Sequence, residues 1–323
     1  MAVSQYSLEK TDLSRGYPTG ISFIDQMTEG GFAPGEAIGF IAPSGGGKTT
    51  IVNQLGVEMA KLGRRFAIFQ YEQSLDGRYF SSLYACATGI DRIKFSGSGH
   101  DIMSRLTDGE KKLVKAAEDT LAGRLFYFDM SGSGLTGSSR GGGGPMEIDS
   151  ILSDLERKGI YLDGFAIDWY LPMASRMYSG TSQKRDERRF YQDIVDQLKR
   201  IAGRHKVFAW VNNQLAPAKA GQRHRVSWDD SAEFKSFAWL LDVCFSMTSL
   251  DDYGHGILYA GKNRNAPKVT KAIALNGKIG RFCPVEDHLE WSTSLRKYVK
   301  SEGEVPVSEE IVKEGEPGRV NGV

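Results

Sequence analysis

A chain of 323 residues with 41 basic against 40 acidic side chains carries a net charge of +1, so no global field drives it onto nucleic acid or an acidic membrane. Its 40% hydrophobic and 25% charged content is that of an ordinary folded protein, with room for one large domain or two small ones. The widely spaced Cys86, Cys244 and Cys283 fit neither a disulfide framework nor a zinc cluster, and no apolar run approaches the roughly 18 residues of a membrane span, so a cytoplasmic protein without a leader or membrane segment is expected.

In chain order, residues 1–15 read as a polar arm. The turn-forming clusters Gly16-Tyr17-Pro18-Thr19-Gly20, Gly30-Gly31 and Pro34-Gly35 then lead to a first strand at 36–41. Short runs apolar on both faces predict further strands at 65–71, 124–128, 164–169 and 206–211. Helical patterns at 48–62, 75–88, 108–121, 146–157 and 185–204 alternate with them, and Thr107 with Glu110 reads as a capping box. This alternation predicts an α/β fold with a mostly parallel central sheet flanked by helices. Later strands are expected at 241–247, 257–260 and 268–274, the last two paired around 261–267. The Gly/Ser-rich segment 131–145 predicts a mobile loop, and 296–323 an acidic, disordered tail, which leaves one domain over 16–295.

The chemistry centres on Ala42-Pro43-Ser44-Gly45-Gly46-Gly47-Lys48-Thr49, which stands between the apolar run 37–41 and an amphipathic stretch beginning at Thr50. In such a strand, glycine loop and helix, successive backbone N–H groups converge on an anion. A lysine in this position reaches the β- and γ-phosphates, and the adjoining hydroxyl ligates Mg²⁺. Ser44, Gly45, Gly46, Gly47, Lys48, Thr49 and Thr50 are therefore the expected nucleotide contacts, with ATP and Mg²⁺ as cofactors. Ala42 replaces the glycine that opens the usual G-x-x-x-x-G-K-[ST] form, at small cost because the glycines nearest the phosphates remain. Asp168 closes an apolar strand and is the expected metal-side carboxylate beside Thr49. Glu72 ends the strand after the phosphate loop and is the candidate base for water, while the amide of Gln214 can sense the γ-phosphate. Acidic residues at strand ends also cap turns or pair with surface cations, and turn chemistry alone would account for Asn212-Asn213-Gln214.

The phosphate loop, the opening 16–20 cluster, Gly30-Gly31-Phe32-Ala33-Pro34-Gly35-Glu36, Gln70-Tyr71-Glu72-Gln73-Ser74, Ile167-Asp168-Trp169-Tyr170-Leu171, Leu198-Lys199-Arg200-Ile201-Ala202 and Gly261-Lys262-Asn263-Arg264-Asn265-Ala266-Pro267 together resemble the motor domain of DnaB-type replicative helicases, over about residues 16–275. The resemblance implies a RecA-like P-loop NTPase fold, a ring of six subunits with ATP between neighbours, and single-stranded DNA in the central channel. Primase, a loader or other replisome proteins are implied partners. It further implies that Lys262 and Arg264 reach the neighbour's γ-phosphate, a finger role worth about 10³ to 10⁵ in rate. The family's helical N-terminal domain and attached primase find no match in these residues, so a version reduced to the motor, like those of phages or plasmids, is expected. Its DNA-facing Asp-Leu-Arg-Glu-Ser-Gly sequence is also absent, residues 227–236 reading Ser-Trp-Asp-Asp-Ser-Ala-Glu-Phe-Lys-Ser. Basic residues in two loops, Lys184, Arg185, Arg188 and Arg189 in the first and Lys219, Arg223 and Arg225 in the second, with Lys235, are the candidate DNA contacts through phosphate neutralisation. Two other readings stand beside this one: a RecA- or RadA-like recombinase or mediator that forms filaments, and a KaiC-like ATP-dependent switch that binds protein rather than DNA.

Overall fold

The apolar run before the phosphate loop is the middle strand of a nine-stranded sheet. A computed structural model describes residues 16–72, 77–131, 143–179, 187–215, 226, 237–264, 266–286, 289–292 and 294–300. In chain order the elements are α1 (Ser22–Met27), β1 (Ala37–Ala42), α2 (Lys48–Lys61), β2 (Phe66–Gln70), α3 (Gly77–Thr88), a short 3-10 helix (Arg92–Phe95), α4 (Gly99–Arg105), α5 (Asp108–Leu121), β3 (Leu125–Asp129) and α6 (Pro145–Arg157). They continue with β4 (Gly164–Asp168), α7 (Tyr170–Ser179), α8 (Glu187–His205), β5 (Phe208–Gln214), α9 (Phe237–Leu240), β6 (Val243–Met247), β7 (His255–Asn263), β8 (Val269–Asn276), β9 (Arg281–Pro284), β10 (Leu289–Ser292) and β11 (Lys297–Lys300).

The sheet order is β3-β2-β4-β5-β1-β6-β7-β8-β9. Strands β1 to β6 pair in parallel and β7, β8 and β9 add an antiparallel edge. The parallel strands are covered on both faces, which is why their sequences read as continuous apolar runs. Side chains alternate between the two layers, as a strand's two-residue period requires. Ala37 and Ile41 pack in the core built with α6, α7 and α8, whereas Ile38, Phe40 and Ala42 pack in the core built with α1 and α2. No helix among the described residues is long and apolar enough to cross a membrane.

Most expected elements appear within a few residues of their predicted bounds, and the Thr107–Glu110 capping box forms as read. Strand β5 differs, running on to Gln214 instead of ending at 211, because Asn212 finds buried hydrogen-bond partners and the backbone keeps its register with β1, Phe40 opposite Asn212 and Ala42 opposite Gln214. The chain end also differs from the expected boundary at 295: Lys297–Lys300 pair with Leu289–Ser292 as an antiparallel hairpin, anchored where Tyr298 donates its backbone N–H to Asp251 and its hydroxyl to Thr248. The expected loop 131–145 gives up Pro145, which opens α6 where the missing proline N–H costs nothing. Residues 132–142, the arm 1–15 and the tail beyond 300 lie outside the described residues.

Candidate functional site

The parallel register brings four strand ends to one edge of the sheet. Gln70 of β2 lies opposite Asp168 of β4, Ile167 opposite Val211, and Ala42 opposite Gln214. Residues far apart in sequence thus meet where β1 gives way to the phosphate loop.

That loop is already wound. Gly46 N–H donates to the Pro43 carbonyl at 3.0 Å, and the Lys48 ammonium donates to the same oxygen at 3.2 Å. Gly47 caps α2 at φ +81°, and a Cβ there would stand 2.5 Å from the Phe282 ring, so both conformation and space demand glycine. Gly45 has φ +72° with nothing within 4 Å of a Cβ, so its requirement is conformational only. Ser44 and Gly45 are exposed, and Thr49 and Thr50 are half-buried on the first turn of α2.

Lys48 also lies 5.5 Å from the face of the Trp169 ring. Burial lowers its pKa from 10.5, against the opposing pull of the Asp168 and Glu72 carboxylates.

Asp168 is buried at 2% exposure and is held by two neutral amides. Gln70 Nε2 donates to its Oδ2 at 2.9 Å, and Asn212 Nδ2 donates to its Oδ1 at 2.8 Å. Asn212 Nδ2 also donates to the Lys48 carbonyl at 2.9 Å, while its own Oδ1 accepts the Trp210 indole N–H at 2.8 Å. One amide thus joins Asp168 to the helical turn that carries Thr49. Gln70 turns its oxygen the other way and accepts the backbone N–H of Glu72 at 3.1 Å, which fixes the start of the segment after β2. Glu72 itself is exposed.

The donor set suits Mg²⁺: a hard carboxylate and a hydroxyl, the first tied by one amide to the Lys48 carbonyl next to the residue that carries the second, with no larger His/Cys/Asp/Glu cluster among the described residues. Such an ion takes one or two protein oxygens and fills the rest of its shell with phosphate and water. Asp168 and Thr49 are the residues that would hold it.

Sequence reasoning had not singled out Gln70 or Asn212. Their signal was present as polar residues inside apolar strand runs, Phe-Ala-Ile-Phe-Gln and Phe-Ala-Trp-Val-Asn-Asn-Gln. Gln214 stands at the expected edge, half-buried beside Ala42, with its N–H donated to Asn213 Oδ1 at 2.8 Å.

An open cavity of about 990 Å³ adjoins the loop at Gly45. Its walls come from Ser82 of α3, the 3-10 helix at Arg92, the β6–β7 connection at Tyr253, and the β8–β9 turn at Lys278. A hydrogen bond of 2.9 Å from Arg92 N–H to the Lys278 carbonyl closes one side.

Lys262 and Arg264 lie at the opposite edge. Lys262 Nζ donates to the Trp239 carbonyl at 2.7 Å, and Arg264 Nη1 to Asp242 Oδ1 at 2.9 Å. Asp242 in turn bonds Ala37, at the far end of β1 from the phosphate loop. The separation along the strand from Ala37 to Ala42 is about 17 Å, beyond the reach of either side chain to its own loop.

Of the candidate DNA contacts, Arg188 and Arg189 fall in the first turn of α8, on the edge that carries the phosphate loop, and Arg189 is exposed. Lys184, Arg185, Lys219, Arg223, Arg225 and Lys235 lie outside the described residues.

No family model and no curated protein matches the chain. Solved structures do. One described as an ATPase domain superposes with a TM-score of 0.69 at 17% identity, covering 86% of this chain and 95% of that one. A DnaB-like replicative helicase, described together with its interactions with primase, gives a TM-score of 0.70 at 17% identity over 86% of this chain and 66% of that longer chain. The RadB recombinase gives 0.51 at 17% identity over 83% of this chain and 99% of that one. The fold is therefore the RecA-like α/β architecture that the sequence resemblance implied, with a mostly parallel sheet between helices.

Proposed function

We propose that the protein is an ATP-hydrolysing, ring-forming helicase motor that moves on single-stranded DNA and unwinds duplex during replication. The observation that carries this reading is the division of the site between two edges: Lys48, Thr49, Glu72, Asp168 and Gln214 at one, Lys262 and Arg264 at the other. On one protomer Lys262 and Arg264 stand at the far end of β1, too distant for either side chain to reach its own phosphate loop. A second copy placed edge to edge would bring them to the loop of the first.

In this reading Lys48 and the loop N–H groups hold the β- and γ-phosphates, Thr49 and Asp168 hold Mg²⁺, and Glu72 orients the attacking water. Gln214 senses the γ-phosphate, and the neighbour's Lys262 and Arg264 stabilise the charge that develops on it. The cavity beside Gly45 has the size of a small-ligand site and would take base and ribose. The superpositions on the solved ATPase domain and the DnaB-like helicase support the assignment, and primase is a candidate partner because the latter structure is described with it.

Single-stranded DNA should stimulate ATP turnover, and Lys48→Ala should abolish it. Arg264→Ala subunits should regain activity when mixed with Glu72→Gln subunits, since the defects lie on opposite faces of the interface; unaltered turnover in the lysine variant, or no regain on mixing, removes the assignment. A filament-forming recombinase is the second reading, supported by the RadB superposition. Electron microscopy with nucleotide and DNA separates closed rings from open filaments.

A further inference from the structure

The carboxylate that holds Arg264 is itself fixed from several sides. Asp242 precedes β6 and is tied to Ala37 at two points: its N–H donates to the Ala37 carbonyl at 2.8 Å, and its Oδ2 accepts the Ala37 N–H at 3.0 Å. Its Oδ1 then accepts Lys199 Nζ from α8 at 2.7 Å and Arg264 Nη1 at 2.9 Å. Arg264 is bound a second time through its backbone N–H, which donates to the Asp242 carbonyl at 3.2 Å. Yet 56% of the Arg264 side chain stays exposed. One face of the guanidinium is pinned to β1 through Asp242 and the rest of the fork faces outward.

We propose that Asp242 is a positioning residue that aims the Arg264 guanidinium across the subunit interface. The inference rests on the reading above, in which Arg264 acts on a neighbour's nucleotide. An arginine left to itself samples many rotamers and must be immobilised when it meets a developing charge. Asp242 does that beforehand, and ties the finger to the same strand that carries the phosphate loop at its other end. Lys199, bonded to the same oxygen, adds a second charge-assisted hydrogen bond that fixes the carboxylate against α8. A purely architectural tie from β6 to β1 would need only the Ala37 bonds, not the arginine.

Asp242→Asn separates these roles, because the amide oxygen can still accept the Ala37 N–H while the amide N–H repels the guanidinium. Misplacing a reacting group by about 1 Å can cost about 10²-fold in rate, so kcat for ATP should fall by about 10²-fold with nucleotide affinity of the protomer unchanged. Adding Asp242→Asn to Arg264→Ala should bring no further loss. Mixing Asp242→Asn subunits with Glu72→Gln subunits should restore activity, as it does for Arg264→Ala, because the neighbour supplies an aimed finger. Further loss on the Arg264→Ala background, unchanged kcat, or no restoration when Arg264→Ala is restored, overturns the inference alone. Failure to restore Arg264→Ala itself overturns the neighbour-acting reading instead. Should Asp242→Asn not fold, as judged by thermal unfolding, Asp242→Glu carries the same comparisons, since it retains a carboxylate but shifts it by one methylene.

Discussion

The loss of Asn212 should be costly for its size. It is fully buried, and its amide serves Trp210, Lys48 and Asp168 at once. Asn212→Leu keeps the branched outline but cannot donate or accept. Two buried groups then lose partners: the Trp210 indole N–H, whose orphaning costs about 1–3 kcal/mol, and one oxygen of the Asp168 carboxylate, whose bond is worth about 1.5–3 kcal/mol. The Lys48 carbonyl loses a bond as well. The first two terms come to about 2.5–6 kcal/mol, a large part of the roughly 5–15 kcal/mol that holds a domain together. Urea unfolding should show this as a fall in midpoint at unchanged slope. A loss under about 1 kcal/mol would mean that the amide bridge carries no net energy, and the account of how Asp168 is held would be wrong.

Gly47→Ala should be far worse than Gly45→Ala. The first adds left-handed strain of about 1–2 kcal/mol and a Cβ driven into the Phe282 ring, whereas the second adds the strain alone, and nucleotide titration with thermal unfolding should separate the pair. A similar loss in both would refute the role given to Phe282. Nucleotide affinity should fall as pH rises through a value below 10.5, because burial lowers the Lys48 pKa and phosphate binding needs the ammonium. Asp168→Asn removes an opposing influence and should move that alkaline limb to lower pH, measured with a fluorescent nucleotide in the absence of metal. The linked stability runs the other way: unfolded chain binds the proton more tightly, so the penalty is present below the folded pKa and is relieved as pH rises through it toward 10.5.

The strand, glycine loop and helix around Lys48 were legible in the sequence because each depends on neighbours within about ten residues: apolar runs for a doubly covered strand, glycines for positive φ, an amphipathic period for α2. The same local logic marked Glu72 and Asp168, where an apolar run stops at an acidic residue. The strand order was not legible, and with it went Gln70 and Asn212, which acquire their role only because β2 and β5 flank β4. Nor could a sequence place Lys262 and Arg264 at the edge away from the loop, or join Asp242 to Ala37 across more than two hundred intervening residues. Local chemistry writes the individual ends of strands. Which ends become neighbours is decided by burying both faces of one sheet, and that decision gathered polar residues scattered along the sequence at two opposite edges of it.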